Sequence, residues 1–165
     1  FEVLTWSQLG VHAKPAALLD VANTVGVRES RRIVGEYTLT LDDLATGRHF
    51  DDVIGLCGYP VDIHSPTDAG GGMAEDIHTA NAYELPYGIL VPTAVDQLLV
   101  AGRCVSATHE ALGAIRVMPP AFAMGEAAGT AAALAVRDKV SPRDVDVASL
   151  QQRLRDAGAY LGEEG

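Results

Sequence analysis

Hydrophobic positions change their spacing several times along the chain, and each change predicts an element. Behind Pro15, the residues Ala16, Leu18, Leu19, Ala22 and Val25 recur at helical spacing and Gly26 follows, which predicts a helix over Pro15–Val25. Arg31–Leu41 is rich in Ile, Val, Tyr and Thr and reads as a strand. A second strand-like run, Asp52–His64, holds Val53, Ile54, Leu56, Tyr59, Val61 and Ile63. The stretch SPTDAGGGMAED, Ser65–Asp76, is a loop by its Pro, Asp and adjacent glycines. Ile77–Val91 reads as more strand, interrupted by Pro86 and Gly88, with Pro86 placing it at an edge or a bend. Leu98–Ala101 is a short buried strand, and Met118–Val136 a long helix made largely of small residues. A last helix runs over Val147–Ala157, with Asp146 as its N-cap, Val147, Leu150, Leu154 and Ala157 on one face, and Gly158 as its stop.

These elements predict an α+β fold. Residues 27–95 would form a mainly antiparallel sheet layer with flanking helices, and residues 96–140 a strand–helix piece of some other αβ layer. One strand and one helix cannot make a doubly wound sheet. The second piece is therefore expected to pack against something the sequence does not contain. The chain divides on this reading into regions 1–95 and 96–165, and no internal repeat is visible.

Composition narrows the function classes. The 165 residues carry a net charge of −10, which opposes binding to nucleic acid and to an anionic membrane surface. The most apolar stretch, Ala121–Val136, is interrupted by Glu126 and is too short to span a bilayer. The two cysteines, Cys57 and Cys104, sit in apolar settings and read as free thiols of a reducing cytoplasm. Neither has a partner at metal-binding spacing, so no zinc site is expected. The start at Phe1, without Met or signal peptide, suggests a piece of a longer protein.

Several residues could carry chemistry. The start of the long helix, Ala114–Met118, should gather free backbone N–H groups and partial positive charge, a setting for anions or electron-rich ligand atoms. Pro119 and Pro120 lack an N–H but suit a first helical turn. The run RESRR brings Arg28, Arg31 and Arg32 together in an acidic chain. On a strand, Arg31 and Arg32 would face opposite ways, one towards a substrate carboxylate and the other towards water. The plain alternative is a solvated pair of charges. His64, His78 and His109 are the candidate proton carriers, His109 lying beside Glu110 in THEA. Ser106 and His109 with a nearby Asp would make a hydrolase triad, but no G-x-S-x-G elbow supports it. Tyr37, Tyr83 and Tyr87 read as sheet residues.

The stretch LLVAGRCVSATHEALGAIRVMPPAFAMGEAAGTAAALA, Leu98–Ala135, resembles the C-terminal part of FAD-dependent oxidoreductases of the broad glutathione-reductase-like class, which includes fumarate reductase flavoproteins. GVRESRRIVGEYTLT at Gly26–Thr40, GYPVDIH at Gly58–His64 and YELPYGILVP at Tyr83–Pro92 fit the same family in the same order. The resemblance implies a flavoenzyme that moves hydride between a small organic substrate and FAD. It also implies that the late helix points its N-terminus at the flavin's pyrimidine edge, with the amides of Ala114, Ile115, Arg116 and Val117 as contacts. Gly102 and Arg103 stand where related flavoproteins often have Gly-Asp, whose Asp holds ribityl hydroxyls. Arg103 cannot accept a hydrogen bond, so that contact does not carry over, although Arg103 can reach a phosphate. Arg31, His64 and His109 are the catalytic candidates. The family's G-x-G-x-x-G is not in this sequence. The resemblance therefore implies a C-terminal portion that lacks the N-terminal part of the FAD-binding layer, binds little FAD alone, and has the dinucleotide-binding region of the same parent as its partner. The small-residue helix would otherwise be an exposed patch favouring homo-oligomers. The competing reading is a catalytically inert interaction module that self-associates through that helix.

Overall fold

The computed structural model describes residues 23–24, 26–63 and 79–162. Most of the helix expected over Pro15–Val25 lies outside them, as do the Ser65–Asp76 loop, His64 and His78. Four α-helices are described: α1 Leu41–Thr46, α2 His109–Ile115, α3 Met118–Asp138 and α4 Val147–Asp156. The strands β1 Val53–Cys57 and β2 Tyr83–Pro86 form a two-stranded antiparallel sheet, pairing Cys57 with Tyr83 and Gly55 with Leu85. Short 3-10 turns cover Tyr87–Leu90 and Pro142–Asp144. The class is α+β, with a sheet much smaller than the sequence suggested.

The reason lies in where the backbone hydrogen bonds go. Arg31–Leu41 is not a ladder strand. Its amides reach outward to two loops: Ile33 donates to the Cys104 carbonyl, Glu36 to Val91, Tyr37 to Gly88 and Leu39 to Ser106. In return Thr93 donates to Val34 and Thr108 to Leu39. Isolated bridges, Gly35 with Pro92 and Leu39 with Ala107, replace a continuous edge. The segment is an extended rib held between loops 88–93 and 104–108. A Cβ on Gly35 would lie 2.7 Å from the Ser106 Cβ and 2.8 Å from the Gly88 carbonyl oxygen, so this crossing has no room for a side chain.

The other strand expectations shorten for similar reasons. Among its described residues the Asp52–His64 run pairs as a strand as far as Cys57, before Gly58 and Pro60, and Pro60 has no amide to donate. Among the described residues of the Ile77–Val91 run, strand pairing covers Tyr83–Pro86 alone; beyond Pro86 the chain bends into the 3-10 turn. Leu98–Ala101 is no strand: Val100 donates to the Leu90 carbonyl, while Leu98 is 43% exposed.

α1 begins where the strand was expected to end. The Thr40 hydroxyl accepts the Asp43 amide and the Asp43 carboxylate accepts the Thr40 amide, a capping box, and Gly47 stops the helix with φ 62°. α3 and α4 match their sequence patterns closely. The Asp146 carboxylate caps α4 by accepting the Ser149 amide at 3.0 Å, and Gly158 follows with φ 95°. Leu150 and Leu154 of α4 are buried, each side chain contributing about 1.5–3 kcal/mol of burial. One apolar cluster runs from Leu39 to Leu161 and takes side chains from both sides of residue 95. α3 crosses it with Met124, Ala127, Ala131, Leu134 and Ala135. The opposite face of α3 stays open: Met118, Phe122 and Val136 are 72%, 72% and 81% exposed, and Gly125 and Gly129 face empty space.

Asp43 is the buried charge of this layer. Burial alone would push its carboxyl up. Hydrogen bonds from the Thr40 hydroxyl and amide, Tyr37 and Arg48 outweigh this and hold it below the ordinary carboxylate range. The folded state therefore gains stability that is complete above the unfolded carboxyl's titration and lost as pH falls through the folded one. Asp43→Asn is expected to lower unfolding stability by about 1–3 kcal/mol near neutral pH. Urea titrations should show the gap to wild type narrowing as the solution is acidified through the carboxylate range.

Candidate functional site

Two helices meet head to tail at Arg116 and Val117. Thr108 starts α2 by accepting the Ala111 amide at 3.3 Å. Burial is complete by the last turn of α2, where Ala114 and Ile115 have no exposed surface. Arg116 closes α2 by donating its amide to the Leu112 carbonyl at 3.0 Å. Val117 is then the N-cap of α3, without a side-chain cap. Pro119 and Pro120 remove two of the amides a helix start would offer, leaving those of Val117 and Met118 at the positive end of a 21-residue helix. A cleft of about 290 Å³ opens there, between Leu56–Tyr59 and the residues Val117, Pro119 and Pro120. At its edge the buried Tyr83 hydroxyl donates to the Tyr59 carbonyl at 2.7 Å; burial, reinforced by the neighbouring Cys57 thiol, pushes that phenol far above its ordinary range.

Arg116 is the most buried cation of the region, its side chain 9% exposed. Nη2 donates to the Asp62 carbonyl at 2.6 Å and Nη1 lies 3.5 Å from the Glu29 carboxylate. Its Nε is buried and has no hydrogen-bond partner among the described residues. Glu29 is the hub of the cluster. Arg32 Nη1 is 2.6 Å from Oε1, and His109 Nδ1 is 2.9 Å from Oε2. Neighbouring Glu110 is held below the ordinary carboxylate range by its own backbone amide and the Thr108 hydroxyl.

A second cleft, about 470 Å³, lies on the other side of the same segment, lined by Arg28, Ser30, Arg31, Arg103 and Cys104. Arg28 Nη2 meets Asp62 Oδ2 at 2.5 Å, and Arg103 Nη1 donates to the Val27 carbonyl. Gly102 precedes Arg103 with φ 82°, a left-handed turn that favours glycine.

The structure thus brings Arg31 and Arg103 into one cleft and sends Arg32 to Glu29. His109 joins the Glu29 cluster at the start of α2. His64 lies outside the described residues. The helix end differs from the sequence expectation at Ala114–Met118. Ala114 and Ile115 belong to α2, and the Arg116 amide is already donated, so only Val117 of the four expected amide contacts lies at the start of α3. Ser106 is buried and its hydroxyl pairs with Thr38 at 2.9 Å, while His109 Nδ1 pairs with Glu29, so these side chains form no triad. Among the described residues no group of His, Cys, Asp or Glu is arranged to hold a metal, and both cysteines are free. No described helix is long and apolar enough to cross a membrane. Sequence reasoning missed Glu29 and Asp62. Glu29 sits inside the RESRR run that drew attention to its arginines, but its partner His109 is 80 positions away.

The family model described as FAD dependent oxidoreductase matches residues 3–154. No curated protein and no solved structure matches the chain.

Glu29→Gln leaves Arg116 buried without its carboxylate. It is expected to cost about 1–3 kcal/mol in urea unfolding. Hydrogen exchange should show faster exchange at the Ile33 amide, which donates to the Cys104 carbonyl just beyond the Glu29–Arg32 pair.

Proposed function

The chain belongs to the FAD-dependent oxidoreductase family, and from that premise we propose that it is the C-terminal portion of an enzyme that moves hydride between a small organic substrate and FAD. The observation that carries this reading is the family match over residues 3–154. The donor set at the α3 start fits the flavin. It offers the Val117 and Met118 amides and the positive end of a long helix, and among the described residues no carboxylate lines the cleft beside it. FAD bound there supplies the two-electron chemistry.

The chain's own residues orient and stabilise. The α3 start favours negative charge on an electron-rich ring edge by its dipole and free amides. Pro119 and Pro120 fix the first turn, so those amides need no reordering when a ligand arrives. Arg103, which follows Gly102, lines the second cleft, where its guanidinium can donate to a phosphate. His109, half exposed and held through Nδ1 by Glu29, keeps its second ring nitrogen available to exchange a proton with substrate. Arg31 faces a cleft able to receive a substrate's charged group.

The pyrophosphate-gripping unit is a dinucleotide-binding region of the same parent, outside these 165 residues. Two features support this reading: the sequence has no G-x-G-x-x-G, and α3 presents an uncovered face through Met118, Phe122, Gly125, Gly129 and Val136. Glycines four apart allow a neighbouring backbone to approach closely, as a βαβ unit packed on that face would.

A visible absorption spectrum after incubation with FAD and desalting tests both halves. The parent polypeptide is expected to keep a band near about 450 nm, and this chain alone to lose it. A colourless parent overturns the flavoenzyme reading. Retention by the chain alone overturns the need for a second unit.

A further inference from the structure

The cleft at the tip of the rib is chemically unlike the rest of the molecule. The chain carries a net charge of −10, yet among the described residues three arginines and no carboxylate line this opening of about 470 Å³. They are not equivalent. Arg28 is ion-paired with Asp62 at 2.5 Å, which fixes its guanidinium and offsets its charge. Arg103 is anchored by donating one Nη1 hydrogen to the Val27 carbonyl, which leaves its charge uncompensated by any carboxylate among the described residues. Arg31 has no hydrogen bond or ion pair among the described residues. The one acidic residue inside the run, Glu29, is turned to the other side by Arg32, Arg116 and His109. The Ser30 hydroxyl adds a neutral donor to the lining.

We propose that this cleft is an oxyanion-binding site, taking a phosphate or carboxylate group of a small molecule between Arg31 and Arg103, with Arg28 and Ser30 as flanking donors. Guanidinium groups match such oxygens in pairs of parallel hydrogen bonds. Two of the three arginines are already held, so little side-chain freedom is lost when the ligand arrives. The acidic remainder of the surface repels anions, which favours this opening over most of that surface. Gly102, with its left-handed φ of 82°, makes the turn that brings Arg103 to the segment carrying Arg31. The site rests on the flavoenzyme reading only for whether the group belongs to cofactor or substrate; the binding itself does not need that reading.

The test is titration of the 165-residue chain with inorganic pyrophosphate and, separately, with malonate, followed by calorimetry and by the arginine side-chain N–H resonances. Saturable binding is expected, with the Arg31 and Arg103 resonances moving. Arg31→Gln and Arg103→Gln should each weaken it about tenfold, as the loss of one charge-assisted hydrogen bond does. Arg137→Gln, which removes an arginine paired with Asp138 at the end of α3, should leave affinity unchanged. All three positions are exposed, and unchanged thermal unfolding of each variant shows that the fold is intact. Tighter binding of pyrophosphate assigns the site to a phosphate-bearing ligand, tighter binding of malonate to a carboxylate substrate; either supports the proposal. No saturation, or equal weakening by Arg137→Gln, overturns it. Because no flavin is present in the titration, failure here and failure of the spectral test above are separate results.

Discussion

The extended rib from Ile33 to Leu39 is the constraint on which the other elements depend. It donates and accepts backbone hydrogen bonds alternately with two loops, at Gly88–Thr93 on one side and Cys104–Thr108 on the other. Such bonds form only if the three backbones lie close together, and Gly35 and Gly88 make that possible. A Cβ at Gly35 would collide with Ser106 and with the Gly88 carbonyl, and one at Gly88 would press on the Tyr37 Cβ at 3.0 Å. Loops 88–93 and 104–108 would otherwise carry buried amides and carbonyls without partners, each a substantial penalty. The rib satisfies them without building a sheet, which is why the β content is so low.

The same rib sets the position of the chemistry. Its leading end carries Arg28, Glu29, Arg31 and Arg32, and the path of the backbone sends these side chains to different neighbours. Glu29 and Arg32 turn towards α2 and the α2–α3 junction, while Arg28 and Arg31 line the opening beside Arg103. The Arg116 guanidinium joins the two sides, bonding the Asp62 carbonyl and lying beside Glu29. Taking Arg116 out of water is costly, and the carboxylate and carbonyl offset that cost only while both stay in place. The cluster thus ties the rib, the residues after β1 and the helix junction into one arrangement. The α3 start and the arginine cleft are held by shared contacts although they open to different places.

α3 shows how one helix serves two environments. Its buried stripe of Met124, Ala127, Ala131, Leu134 and Ala135 is narrow because small side chains let it lie close to β1 and α4. Its outer face is also apolar, yet it is largely uncovered: Met118, Phe122 and Val136 are exposed, and a Cβ on Gly125 or Gly129 would meet nothing within 4 Å. A helix of ordinary surface composition would place charges there; Glu126 is the sole acidic residue between Met118 and Arg137.

Local chemistry was legible in the sequence wherever it depended on neighbours along the chain. The helical period and small residues fixed α3; Asp146, Leu150, Leu154 and Gly158 fixed α4; Pro86 marked a bend. The family was legible in Leu98–Ala135 and three shorter stretches, because motifs are linear. The caps Thr40 and Thr108 were also readable signals, since a hydroxyl followed three positions later by the amide it accepts is a local pattern, but β-branched neighbours masked α1, and the shortness of α2 with Gly113 inside it masked α2. Tertiary structure alone decided the rest. Whether Arg31–Leu41 pairs as a strand or threads between loops depends on which distant carbonyls its amides meet. Which arginine of RESRR faces Glu29 and which faces the cleft depends on partners 34 to 80 positions away. Hydrophobic period and capping are properties of a few consecutive residues, so the sequence determines them; the pairing of buried polar groups is a property of the packed chain, so only the fold decides it.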